Sequence, residues 1–160
     1  MVKQSAGLLM FRLRGGAVEL LLGHPGGPFF RRKDHGSWTL PKGLLEDEVE
    51  DPLAAARREF EEETGLRVGA ADFLELGEVR LGSGKRVRAW AFEGDCDPET
   101  LESNTFEIEW PPRSGRRQEF PELDRFAFFD PEEAVERLNP KQSAFVQRLL
   151  EVLAERGRSP

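Results

Sequence analysis

Apolar positions along this chain fall into two rhythms, and the switches between them mark its elements. Residues 5–13 are almost continuously apolar and predict a strand. Val18-Glu19-Leu20-Leu21-Leu22 predicts a second, with Gly15-Gly16 as the hairpin turn between them. Residues 23–36 hold four Gly and two Pro and read as a loop, followed by a short strand at 37–40 that Pro41 closes. A helical rhythm takes over at 52–64, where Leu53, Ala56 and Phe60 fall on one face. Asp51 suits its N-cap, Pro52 its first position and Gly65 its stop. Residues 73–81 and 85–93 predict paired strands around Gly82-Ser83-Gly84. Further strands are expected at 105–110 and 125–129, separated by a Pro/Arg/Gly loop at 111–121. Residues 131–138 predict a short helix and 140–156 a last one, with Phe145, Leu149 and Val152 on one side. No internal repeat or linker interrupts the order. Strands mixed with a central helix and C-terminal helices predict an α/β (α+β) sandwich, expected as a single domain over 1–160.

Composition narrows the class. With 160 residues, 38% hydrophobic and 33% charged, the chain can bury a core without staples. Its mean hydropathy is −0.54, that of a soluble protein. The longest apolar run, Ala6 to Phe11, falls far short of the ~20 residues a membrane span needs. No signal peptide is read at the N-terminus, and no membrane partner is expected. A single cysteine, Cys96, excludes an internal disulfide, and with His24 and His35 it is too little for a zinc cluster. A reducing, cytoplasmic setting is expected.

Charge changes the picture more. The formal net charge is −7, and residues 44–63 carry all of it, with nine acidic and two basic residues. Elsewhere the balance is even, with basic clusters at Arg31-Arg32-Lys33, at Lys85-Arg86-Val87-Arg88, and at Arg113 with Arg116-Arg117. A concentrated acidic patch amid basic clusters fits a cation site beside an anion site; solvated faces are the plain alternative.

Glu59, Glu62 and Glu63 stand at i, i+3 and i+4, so their carboxylates share one helix face. Each like-charge pair at that spacing costs about 0.2–0.5 kcal/mol. The last turns of a helix also disfavour anions by about 0.3–1 kcal/mol each. Arg58 can bridge Glu62 and Arg57 can bridge Glu61, but two arginines cannot neutralise four glutamates. A hard divalent cation would remove the conflict, and oxygen-only donors point to Mg²⁺, with Mn²⁺ as the alternative.

The spacing is more specific still. From Glu50 the chain runs seven residues to Arg58-Glu59-Phe60, then one residue to Glu62-Glu63, then one to Gly65-Leu66. This resembles the Nudix box, G-x5-E-x7-R-E-U-x-E-E-x-G-U, where U is a bulky apolar residue. Six residues rather than five separate Gly43 from Glu50, so the loop before the helix is one residue longer. The surrounding His24-Pro-Gly-Gly-Pro-Phe29, Pro41-Lys42-Gly43 and Glu109-Trp110-Pro-Pro112 resemble a bacterial subgroup of predicted nucleotide pyrophosphohydrolases. The resemblance implies an α/β/α sandwich with a mixed central sheet. It implies Glu59 and Glu63 as the main metal ligands, with Glu62 a further ligand or a base near the metal-bound water and the Gly43 carbonyl a backbone ligand. Arg58 would orient a glutamate, and Glu50 would join from the loop side. The implied reaction is hydrolysis of a diphosphate linkage in a nucleoside diphosphate attached to another group.

Other roles are less sharply drawn. Arg31, Lys33 and Lys42 are candidate phosphate contacts, with Lys85, Arg86 and Arg88 behind them. Glu107, Glu109, Glu119 and Glu122 lie where a general base could come from, and Glu122 is the first choice. Trp38, Trp90 and Trp110 could stack a base or pack in the core, and His24 and His35, flanking the glycine-rich loop, are expected to face solvent. Leu81 stands 16 residues past Gly65, where relatives acting on ADP-ribose carry proline, and the chain has no tyrosine, a marker of several dinucleotide polyphosphate enzymes. The basic clusters favour a highly phosphorylated substrate, a nucleoside or dinucleoside polyphosphate. The alternatives are a non-catalytic nucleotide-binding or regulatory module, or a hydrolase of diphosphoinositol polyphosphates, ADP-ribose or RNA 5′ ends. Duplex DNA is not an expected partner at this net charge, and the chain is expected as a monomer or homodimer.

Overall fold

A computed structural model describes residues 3–47, 49–69 and 71–157. β1 (Gln4–Arg14) and β2 (Ala17–Pro25) form the expected hairpin. Its two-residue turn puts Gly15 and Gly16 at φ +57° and +83°, the left-handed pair that matches strand twist and that glycine adopts freely. Then come β3 (Lys42–Leu44), α1 (Pro52–Thr64), β4 (Leu74–Arg80), β5 (Arg86–Glu93), β6 (Thr105–Glu109), β7 (Arg117–Pro121), β8 (Leu123–Phe129), α2 (Pro131–Arg137) and α3 (Ala144–Gly157).

The main sheet runs β4-β5-β1-β2-β8, with β3 added against β1. β1 and β5 are parallel and the other pairs antiparallel, so the sheet is mixed. β1 is buried on both faces, which explains its unbroken apolar run. Leu9 and Phe11 face one layer with Phe145, Val146 and Leu149 of α3 and Ala134 of α2. Ala6, Leu8 and Met10 face the other with Ala55, Ala56 and Phe60 of α1. Helices thus cover both faces of a mixed sheet, as an α/β/α sandwich requires.

One edge of β1 serves two partners. Residues Phe11 to Arg14 pair with β2, whereas Ser5 to Gly7 pair with β3. Between them the Leu8 amide donates to the Pro41 carbonyl at 3.2 Å. β2 diverges there and exchanges two hydrogen bonds between Gly23 and Thr39, at 2.8 and 2.9 Å. Segment 39–44 fills the opening.

Three expectations need correction. Residues 37–40 make isolated bridges at Trp38 and Thr39, and the extended ladder lies one step later at Lys42–Leu44. Pro41 has no amide to donate, yet its carbonyl still docks on β1. The expected loop at 111–121 ends in a strand, because Arg117–Pro121 pairs with β6 in a separate two-stranded ribbon. That ribbon is largely exposed, so no buried alternation announces it. The last helix starts at Ala144, after a 3₁₀ turn at Pro140–Gln142 whose Asn139 side chain accepts from the Lys141 amide.

Candidate active site

Helix α1 begins and ends as its caps dictate. The Asp51 carboxylate accepts from the Ala54 amide at 3.0 Å, and Gly65 takes φ +77° while donating to the Glu61 carbonyl. Phe60 and the two buried alanines anchor one face on the sheet. The opposite face then presents its glutamates to β3 and the loop before the helix.

There the backbone and carboxylates meet closely. The Lys42 amide donates to Glu63 Oε2 at 3.0 Å. A Cβ on Gly43 would stand 2.0 Å from the Glu59 carboxyl carbon, so this position admits no side chain while Glu59 keeps its place. Arg58 spans the next layer. Its guanidinium donates two hydrogen bonds to Glu50, both at 3.1 Å, and one to Glu59 Oε1 at 2.9 Å, with Glu46 and Glu62 at 3.6 Å. Glu50 in turn accepts from the Glu46 amide at 2.7 Å, which fixes the longer loop onto the helix.

Burial sets the electrostatics. Glu63 is 8% exposed. Desolvation, reinforced by the charge of Glu59, pushes its carboxyl up to about 8. Burial also raises the carboxyls of Glu59 and Glu122. Arg58 opposes the rise at Glu59, and Lys42 opposes it at Glu122. The Lys42 ammonium is pushed down by burial and partly held up by Glu63. At the outer layer, Arg58 holds Glu50 below the usual carboxylate range.

A cleft of about 520 Å³ opens beside this cluster, and Phe30, Lys33, His35, Lys42, Glu63 and Glu122 line it. Lys33, Lys42, Glu63 and Glu122 therefore share one cavity, whereas Arg31 stands exposed on the loop outside it. Glu62 is half-exposed at the helix end, and its carbonyl accepts from the Asn104 amide. Among the alternatives for a base, Glu107 is engaged by Arg117 and Glu119 by Thr105, both on the ribbon. Lys85 is exposed, while Arg86 and Arg88 face Glu78 and Glu75 across β4–β5. Trp38 and Trp90 are buried, and Trp110 sits on the ribbon.

The structure adds residues that the sequence did not mark. His24, expected in solvent, is fully buried. Its Nδ1 faces Asp124 Oδ1 at 2.8 Å and its Nε2 faces the Lys33 carbonyl at 2.6 Å, so it ties the basic loop to β8. Next to it, Trp38 Nε1 donates to Asp34 at 2.7 Å and Arg137 reaches the same carboxylate at 2.5 Å. Those two donors hold Asp34 below its usual range. The pattern His24-Pro-Gly-Gly was the available signal, but Asp124, a hundred residues away, and the Lys33 carbonyl, nine away, define the role.

Among the described residues no three His, Cys, Asp or Glu side chains close on a common point, because Glu59 turns to Arg58. The donor set still fits a hard divalent cation: the carboxylates of Glu59 and Glu63, the charge of the first disfavouring that of the second, beside the Gly43 backbone.

Comparison with known proteins agrees with this geometry. Residues 1–149 match the family model of the NUDIX domain. An Ap4A hydrolase from C. elegans, in a binary complex, superposes with a TM-score of 0.69 at 22% identity, covering 96% of this chain and 99% of that one. The Nudix hydrolase RenU from M. smegmatis gives 0.59 at 25% identity, over 95% and 86% of the two chains. The NUDIX domain of Shewanella oneidensis NrtR, complexed with ADP ribose, gives 0.60 at 12% identity, over 96% and 89%. A curated octanoyltransferase of Myxococcus xanthus is 37% identical over 109 residues, 68% of this chain and 27% of that protein. The chain spans about a quarter of that relative's length. The chain belongs to the Nudix family.

Proposed function

We propose that the chain hydrolyses a diphosphate linkage in a nucleoside diphosphate attached to another group, a nucleoside or dinucleoside polyphosphate, with Mg²⁺ as cofactor and Mn²⁺ as its substitute. The observation that carries this reading is the seating of Glu63 and Glu59 against the Lys42-Gly43 backbone beside a cleft lined with cations. Glu59, Glu63 and the Gly43 carbonyl would hold the cation, with Glu62 at the rim. Bound there, it supplies charge neutralisation on phosphate oxygens and a lowered pKa for water. Arg58 aligns Glu59 while Glu50 holds Arg58 in turn. Lys42 and Lys33 bind phosphate in the cleft, with Arg31 steering from outside. Glu122, half-buried and lining the cleft, accepts a proton as the base. That the C. elegans neighbour is an Ap4A hydrolase makes a dinucleoside polyphosphate the first substrate to try.

The test is a panel of diadenosine polyphosphates, ordinary and oxidised nucleoside triphosphates, ADP-ribose and a diphosphoinositol polyphosphate, run with Mg²⁺, with Mn²⁺ and with EDTA. Cleavage of a nucleoside or dinucleoside polyphosphate that EDTA abolishes is the expected result. Tight nucleotide binding with silence across the panel would replace the enzyme by a binding module.

A further inference from the structure

The two lysines that line the cleft are held in different ways. Lys42 lies on β3, which pairs with β1, and its amide is bound to Glu63. Lys33 lies on the loop after β2. Both ends of that loop are secured. The Gly26 amide donates to the Glu122 carbonyl at 2.9 Å, and Trp38 and Arg137 hold Asp34. Between those ends the Lys33 amide closes a turn on the Phe30 carbonyl at 3.0 Å. Among the described residues, segment 27–33 makes one hydrogen bond to another element, from His24 Nε2 to the Lys33 carbonyl at 2.6 Å.

His24 is fully buried, and its surroundings fix its aim. A carbonyl can only accept, so Nε2 is the donor to Lys33. Nδ1 lies 2.8 Å from Asp124 Oδ1 on β8, which sets the orientation of the ring and so the direction of that donor. Trp38 packs edge-to-face on the imidazole at 5.3 Å between centroids. Neither His24 nor Asp124 lines the cleft. Lys33 does, with its ammonium 5.4 Å from the centre of the Phe30 ring, another residue of the wall. The turn that carries Phe30 and Lys33 therefore hangs on the bond from His24.

We propose that His24 and Asp124 are positioning residues, which hold the Lys33 ammonium in the cleft for a phosphate group of the substrate. Neither touches the substrate, and both act through the Lys33 backbone. Without that bond, a flexible lysine on an untethered turn would have to be ordered each time an anion binds, and affinity falls. The role rests on the hydrolase reading for what Lys33 meets in the cleft.

The experiment titrates inorganic tripolyphosphate calorimetrically into the full chain in EDTA. Truncating His24 would open a void in the core, so the pair is tested at Asp124, whose side chain is partly exposed. Asp124→Ala weakens binding about tenfold, the worth of one hydrogen bond to a charged group. Asp124→Asn, which keeps an acceptor for the ring but not the charge, binds like the wild type. A double-mutant cycle then locates the effect. In a Lys33→Ala chain, Asp124→Ala has no further effect, whereas in a Lys42→Ala chain it still weakens binding about tenfold. Equal losses in both lysine backgrounds would make Asp124 a matter of general stability and overturn the proposal. So would wild-type affinity in Asp124→Ala, equal weakness in the Ala and Asn variants, or a wild-type chain that binds no tripolyphosphate. Because EDTA removes turnover, the hydrolase reading is judged separately. A chain that shows this coupling but cleaves nothing on the substrate panel loses that reading and keeps the tether; one that cleaves without the coupling loses the tether alone.

Discussion

At the scale of single residues, the site depends on charges placed where water is scarce. Glu63 is close to fully buried and accepts a backbone hydrogen bond from Lys42. Glu63→Gln keeps that acceptor and the side-chain volume but removes the charge. Activity on the best substrate should fall by at least ~10²-fold with the circular dichroism spectrum unchanged; near-wild-type turnover would remove Glu63 from the site.

The same residue predicts a pH dependence. Its carboxyl is raised to about 8 in the folded chain, against about 4.3 for an ordinary Glu. Below the ordinary value both states are protonated and the group contributes nothing. Between the two values the unfolded chain gives up its proton while the folded chain retains it, so stability falls as pH rises. Glu59 and Glu122 are shifted in the same direction. In EDTA the Tm should therefore be lower at pH 8 than at pH 6, and Mg²⁺ should restore more of it at pH 8. A metal-independent Tm that is flat across that window would contradict the assignment.

At the scale of elements, α1 is held by its apolar face and used by its acidic one. Phe60 is fully buried and meets Phe92 edge-to-face at 5.3 Å between ring centroids. Phe60→Ala should destabilise the fold by about 3–5 kcal/mol, read in denaturant titration, while Leu53→Ala at the helix's half-buried start costs less. This helix was the most legible part of the chain, because Asp51, Pro52, Gly65 and the apolar triplet are local signals. The hairpin at Gly15-Gly16 was legible for the same reason. β7 was not, since Arg117-Gln-Glu-Phe-Pro121 is an exposed ribbon strand with no buried face to impose a period. Nor was His24, whose burial depends on Asp124, which no window around Pro25 contains, as well as on the Lys33 carbonyl across the loop. The box spacing brought Glu50, Arg58, Glu59 and Glu63 into view together; the ion pairs and the contact with Gly43 join them in space.

At the scale of the whole molecule, layers and site are one arrangement. The sheet packs α1 on one face and α2 with α3 on the other. The cleft lies beside Lys42, with Glu63 of α1 on one wall and Asn139 and Gln142, from the segment before α3, on another. Gln142 is buried, accepts from the Leu40 amide at 3.1 Å and donates to Thr39 at 3.0 Å. The two layers therefore meet at the segment that carries the site. Among the described residues no helix is long and apolar enough to cross a membrane.

That segment, 39–44, sits like a keystone. Thr39 is stitched to one springing of the arch at Gly23, Lys42 to Leu44 to the other along β1, and Pro41 touches the crown at Leu8. An arch cannot lose its keystone without opening. The amides of Gly23 and Thr39 should therefore exchange with solvent nearly as slowly as those of β1, although Gly23 lies where short-range pattern reads loop. Fast exchange at Thr39, beside slow exchange at Leu9, would show the stone to be loose. If it is tight, Lys42 and Gly43 form an anvil as durable as the fold, beside the glycine-rich loop whose Pro25, Phe30 and Lys33 line the same cleft.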